Sequence, residues 1–208
     1  AYPCDAGSVQ AAMQAAQAGL IRPLLVGPRQ RIEAAARSAG LDPSAAEIHS
    51  TADDPRIAAA QAAALCRDGQ ARALMKGSLH SDDLLGAAVA REAGLRGSRR
   101  ASHVFIMDIP GYDRPLLMTD CVVNIFPSLM EKRDIAQNAV DLAHAIGIVQ
   151  PRVALLSAVE TVNPAIPGTI DAAALCKMAD RGQITGGIFD GPLAYDNAIS
   201  LHSAHNKG

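Results

Sequence analysis

Lys76-Gly77-Ser78-Leu79-His80 follows a short apolar run at 71–75, and its residue types suit an anion site. Gly77 lets the backbone turn and approach a ligand, the Gly77 and Ser78 amides can donate to an anion, and Lys76 adds a positive charge. His80 can donate a hydrogen bond or move a proton. A plainer reading is a helix start, with Ser81 as N-cap and Asp82 and Asp83 favourable to the helix dipole. That reading accounts for the last three residues and leaves Lys76, Gly77 and Ser78 unexplained. The two are compatible if the anion lies over the turn before Ser81 and both carboxylates face solvent.

Three other segments place polar residues where open α/β sheets bind ligands, at the carboxyl ends of strands. Ser157-Ala158-Val159-Glu160-Thr161 comes straight after the run at 152–156. It offers a serine and a glutamate to a substrate, or simply caps the loop before Pro164. In the segment from Asp190 to Asn197, Asp190 is expected to end a strand, Gly191 to turn, and Pro192 to open a helix with Asp196 one turn in. The two carboxylates are either dipole complements or a general base with an orienting partner. Asp120 and Asn124 interrupt an apolar stretch and read as structural hydrogen-bonding groups.

Other chemistry finds little support. Cys4, Cys66, Cys121 and Cys176 stand singly and read as core thiols in a reducing compartment; no histidine is placed by sequence to activate Cys121. His49, His103, His144, His202 and His205 lack metal-ligand spacing, and neither a Walker A loop nor G-x-G-x-x-G occurs. Lys plus Arg is 19 against 21 Asp plus Glu, which leaves no basic footprint for a nucleic-acid backbone. Aromatics at 3% argue against base stacking, and 49% hydrophobic residues exclude a disordered chain. No apolar run reaches the ~18 residues of a membrane span.

The elements that must position these loops alternate. A strand is expected at 23–27, helices at 28–40 and 53–68, a strand at 71–75 and a helix at 81–93 stopped by Gly94. The N-cap of the 53–68 helix falls to Asp53 or Asp54. This βαβαβα order argues for a parallel sheet covered by helices. A domain boundary is placed near Arg99, giving domains at 1–99 and 100–208. Beyond it, runs at 103–109 and 115–119 flank turn residues and predict a hairpin. A helix at 128–146 follows, with Ile135, Ala139, Leu142, Ala143 and Ile146 on one face. The alternation ends with a buried strand at 152–156, a helix at 169–181, a strand at 184–189 and a helix at 192–200.

Six segments, in order along nearly the whole chain, resemble the phosphate acetyltransferase and phosphate butyryltransferase family. They are Pro3-Cys4-Asp5, Leu24-Leu25-Val26-Gly27-Pro28, the Met75 to His80 loop, Ser157 to Pro164, Lys177 to Gly182 and Asp190 to Ala198. The Ser-Ala-Val-Glu-Thr segment is similar to the butyryl-type branch and its relatives fused to enoyl-CoA hydratase domains. The resemblance implies an α/β protein, a two-domain αβα sandwich like isocitrate and isopropylmalate dehydrogenases. Its sheets would be mostly parallel, with an antiparallel hairpin in the second domain. It implies a cytoplasmic homodimer that moves an acetyl or butyryl group between coenzyme A and inorganic phosphate, with both as substrates and neither metal nor bound cofactor. Nucleic acid and membrane are not expected as partners. Lys76, Gly77, Ser78, Ser157, Glu160 and Gly191 would then bind phosphate or coenzyme A, and His80, Asp190 and Asp196 would serve proton transfer. Family chains continue past the Asp-Gly-Pro-Leu segment to a Ser-Arg motif and an Asp, and begin with a strand before Pro-Cys-Asp. The expectation is therefore a piece of a longer protein, its first domain completed by a C-terminal segment. A non-catalytic acyl-CoA or phosphate-binding module and a metal-dependent hydroxyacid dehydrogenase of the same fold are the alternatives. Turnover separates the first and a nicotinamide effect the second.

Overall fold

Strand β1 (Leu24–Gly27) pairs in parallel with β2 (Glu47–Ser50), Leu24 opposite Glu47 and Gly27 opposite Ser50. The structure is a computed structural model that describes residues 1–91 and 95–207. Two compact units are present, Ala1–Ser98 and Arg99–Gly208.

In the first unit, helix α1 (Ala6–Gln17) begins at Asp5, whose carboxylate accepts the Ser8 amide at 2.8 Å and the Ser8 hydroxyl at 2.6 Å. Val9 and Met13 of α1 pack with Leu25 of β1 and with Ile32, Ala35 and Ala36 of α2 (Arg29–Ser38). Helix α3 (Pro55–Arg67) covers the other flank, where Ala62 and Leu65 meet Val26. Its buried face is mostly alanine, so it packs closely without large side chains. Asp54, rather than Asp53, caps it by accepting the Arg56 amide at 2.7 Å. Ala58 and Ala59 also pack with Leu79 and with Leu84 of α4 (Ser81–Val89). That helix ends at Val89, where Ala90 turns extended, short of the expected residue 93; its expected Gly94 stop lies outside the described residues.

One expectation is corrected here, and two elements are added to those expected. Helix α1 and strand β2 carry no strong apolar period and go unanticipated. The strand at 71–75 does not form as a regular element. Gly77 and Ser78 instead bond to the carbonyls of Ala1 and Tyr2, and the Tyr2 amide donates to Val26 at 2.7 Å. These few bonds link the segment to β1 without a continuous ladder.

The second unit opens with the hairpin, β3 (Val104–Met107) antiparallel to β4 (Leu116–Thr119), Val104 opposite Thr119. Helix α5 (Leu129–Ala145) starts in a capping box in which the Glu131 carboxylate accepts the Ser128 amide at 2.9 Å. It buries Ile135 and Ala143 as its period requires, while Ile146 stays exposed at the C-cap. Strand β5 (Arg152–Leu156) then pairs in parallel with β6 (Ile188–Leu193), separated in sequence by α6 (Pro167–Asp180). Helices α7 (Tyr195–Ile199) and α8 (Leu201–Lys207) follow. Strand β5 alternates exposed and half-buried residues, so it is not the fully buried run expected. The whole is mixed α/β, with parallel and antiparallel pairs among the described residues. No described helix is long and apolar enough to cross a membrane.

Strand β6 is shifted towards the C-terminus, a second set of corrections. Ile184, expected in the strand, is instead core ahead of it, packed with Ala136 and Leu175. Pro192 opens no helix; it lies inside β6, where the ladder is irregular between Ala154 and Leu156. Proline has no N–H for a ladder, and such an irregularity is where a strand tolerates it. Asp190 therefore pairs opposite Ala154 rather than ending the strand. Gly191 permits this, because a Cβ there would stand 2.7 Å from both Cβ and O of Leu155. Gly191→Ala should accordingly lower the unfolding free energy by about 1–3 kcal/mol in denaturant titration. An unchanged midpoint would show that β5 and β6 separate readily enough to admit the methyl group.

Candidate active site

The Lys76 loop of the first unit is built on backbone contact with the start of the chain. Gly77 and Ser78 donate their amides to the Ala1 and Tyr2 carbonyls, both at 2.9 Å. The Ser78 hydroxyl accepts the Cys4 amide and donates to the Tyr2 carbonyl, each at 2.8 Å. These bonds correct the expectation that the two amides face an anion. Gly77 has its own reason to be glycine: a Cβ would fall 2.5 Å from the Ala1 oxygen.

Lys76 is exposed and folds over the turn, its Nζ donating to the Leu79 carbonyl at 3.0 Å. Its charge thus stands beside the N-terminal turn of α4. His80, also exposed, takes the N-cap position without a side-chain cap bond, and Ser81 is the first helical residue, so Ser81 is not the cap. Asp82 is exposed as expected. Asp83 is not solvent-facing: its side chain is 17% exposed and pairs with Arg56 at 3.2 Å.

Behind this loop lies a cluster that spacing could not reveal. The buried Tyr2 hydroxyl donates to Asp53 at 2.6 Å and accepts from Arg31 at 2.6 Å, and Arg31 also reaches Asp53 at 3.0 Å. The Arg31 guanidinium stands 5.3 Å from the Tyr2 ring centre. The hydrogen bond to Asp53, with burial adding to it, pushes the Tyr2 hydroxyl up to about 12.

In the second unit Ser157, Glu160 and Asp196 follow the carboxyl ends of β5 and β6, whereas Asp190 lies within β6. The Ser157 amide donates to the Leu193 carbonyl at 2.9 Å, carrying the parallel pairing one step beyond β5. Farther along that loop, Glu160 meets Lys207 Nζ at 2.9 Å, and the same Nζ reaches Asp196 in the first turn of α7 at 2.8 Å. Lys207 holds both carboxyls below their usual range, chiefly through hydrogen bonding. Asp190 is exposed and its carboxylate accepts the Gly191 amide at 2.8 Å. The loop's far end is fixed by the fully buried Thr169, whose hydroxyl accepts the Asn163 amide at 2.8 Å. Lys207 is the residue sequence reading missed; its only mark was a place in a polar tail.

Asp120 accepts the Val122 and Val123 amides at 2.9 Å and Asn124 Nδ2 at 2.6 Å, a structural role. Burial pushes its carboxyl up, but these donors outweigh it and leave it lowered. Among the described residues, no three His, Cys, Asp or Glu side chains are grouped to hold a metal ion.

The frame is mixed α/β with polar loops at its strand ends, and comparison with known proteins narrows the class. The family described as Phosphate acetyl/butaryl transferase matches residues 53–208. The chain is 55% identical to a phosphate acetyltransferase of Rhizobium meliloti, over all of this chain and 66% of that protein. It is 42% identical to a phosphate butyryltransferase of Clostridium beijerinckii, over 98% of this chain and 67% of that one. Among solved structures, the EutD phosphotransacetylase from Staphylococcus aureus superposes with a TM-score of 0.79 at 20% identity, covering 100% of this chain and 71% of that one. The chain belongs to the phosphate acetyl/butaryl transferase family. It spans about two thirds of the length of these two curated relatives.

Two outcomes follow from the first unit. Ser78→Ala removes two hydrogen bonds that staple residues 2–4 to the loop, and should cost about 1–3 kcal/mol in thermal unfolding. Stability unaffected by the substitution would mean that water replaces the hydroxyl. The folded state also keeps the Tyr2 proton to higher pH than the unfolded chain, whose tyrosine titrates near 10.0. Its stabilisation is therefore complete below that pH and lost as pH rises through about 12. The melting temperature of Tyr2→Phe should fall less steeply than wild type across that window; parallel curves would remove the role given to the hydroxyl.

Proposed function

We propose that the protein of which this chain is part transfers an acyl group, acetyl or butyryl, between coenzyme A and inorganic phosphate. The supporting observation is that Ser157, Glu160 and Asp196 follow the carboxyl ends of a parallel strand pair, with Lys207 joining Glu160 to Asp196, in a chain of this family. In the reaction, a phosphate oxygen attacks the thioester carbonyl and forms a C–O bond. The tetrahedral oxyanion collapses, the C–S bond breaks, and the phosphate proton ends on the departing sulfur. The groups needed are an anion holder, a donor to the oxyanion and a carrier for one proton.

Lys76 suits the first task. Its Nζ is tethered only to main-chain carbonyls, and the amides opening α4 lie nearby, whereas the Gly77 and Ser78 amides serve the fold. The Ser157 hydroxyl suits the second task. For the third, Asp190 and His80 are the candidates in their respective units. Asp196, bonded to Lys207, stays ionised at neutral pH and contributes charge rather than a proton. Glu160 acts with it, and Gly191 brings β6 close enough to set Asp190. The finer fold reading, an αβα sandwich of the isocitrate dehydrogenase kind in two domains near 1–99 and 100–208, belongs to the same proposal. So do a homodimer and a cytoplasmic location, the latter in keeping with four unpaired cysteines.

Acyl phosphate formation from acetyl-CoA or butyryl-CoA and phosphate tests the reaction. Thermal stabilisation by coenzyme A without turnover would favour a binding module instead. For the Lys76 assignment, Lys76→Met should raise the Michaelis constant for phosphate or coenzyme A about tenfold or more, as loss of one charge-assisted contact does, with little change in melting temperature. An unaltered constant combined with lower stability would make Lys76 a purely structural partner of the Leu79 carbonyl.

A further inference from the structure

We infer that Lys207 is a positioning residue that ties Glu160 to Asp196 and so fixes the loop after β5 against helix α7; the inference rests on the acyl-transfer reading of this edge. The geometry is specific to a bridging cation. One Nζ lies 2.9 Å from Glu160 and 2.8 Å from Asp196, and the two carboxylates come from different elements, the 157–161 loop and the first turn of α7. An ammonium has three donors in a compact head, so it can serve two carboxylates at once.

Electrostatics give the bridge a purpose. Glu160 and Asp196 would otherwise set two negative charges side by side where an anionic substrate must approach. Lys207 cancels one of them and pins both side chains. The charged groups facing it are Glu160 from the loop and Asp196 from α7. On α8 itself, His205 bonds its own helix at the Leu201 carbonyl and His202 lies against Asn206. The bridge also acts on Ser157, because the loop it holds begins with that residue, whose amide is already bonded to Leu193 of β6. Loop, strand and helix are thus joined at two points, one main-chain and one ionic.

The full-length protein carrying Lys207→Met, Lys207→Gln or Lys207→Arg tests this with two independent readouts. Carbon-13 NMR titration of the Glu160 and Asp196 carboxyl carbons should show both midpoints rising in the Met and Gln variants and returning in Arg. In the assay with acetyl-CoA and phosphate, Met and Gln should raise the Michaelis constant for phosphate roughly fivefold, the scale of a partly exposed ion pair, with a smaller effect on kcat. Adding Glu160→Gln to Lys207→Met should recover part of the loss, since one unmatched charge is then gone. Unmoved carboxyl titrations, or a lowered melting temperature with phosphate kinetics intact, would overturn the inference. A wild-type protein that forms no acyl phosphate would refute the acyl-transfer reading instead, while the titrations still decide whether Lys207 holds the two carboxylates.

Discussion

Tyr2 is the residue on which the first unit depends. It sits in the left-handed region at φ 54, an unfavourable place for a bulky side chain. What offsets the strain is the number of groups it satisfies. Its amide reaches Val26, its carbonyl takes both the amide and the hydroxyl of Ser78, and its own hydroxyl joins Asp53 and Arg31. Beneath it, the ring packs on Ala58, Ala59 and Leu79. Backbone groups near a core must find partners, and here one residue partners strand, loop and helix together.

The same constraint shapes the second unit by a different route. Strands β5 and β6 approach so closely at Leu155 that residue 191 has no room for a side chain. Close approach carries Asp190 into the ladder and moves the helix start beyond Ala194, which decides where Asp196 points from. Polar side chains then complete what the short ladder leaves open. Thr169 closes the turn into α6, and Lys207 ties the loop after β5 to α7. The loop after β5 is thus held largely by polar contacts.

Capping chemistry and apolar period made part of this legible from residues alone. The hairpin follows from turn residues between two apolar runs. Helix α5 follows from a repeating apolar face; its Ser128–Glu131 capping box is an addition of the structure. The β1 strand, the α2 and α3 helices and the ordered family segments are equally local, and local order is what a sequence records. Tertiary structure alone decided the rest. Asp53 and Asp54 are equivalent as caps until Tyr2 and Arg31 claim Asp53. Gly77 and Ser78 look like anion donors until the carbonyls of Ala1 and Tyr2 take their amides. Pro192 reads as a helix start until β5 recruits it into a strand. Lys207 stands in a polar tail that says nothing of its role, because its two partners lie on other elements. In each case the deciding partner is distant in sequence, and hydrogen bonds and ion pairs depend on separation in space, which only folding sets.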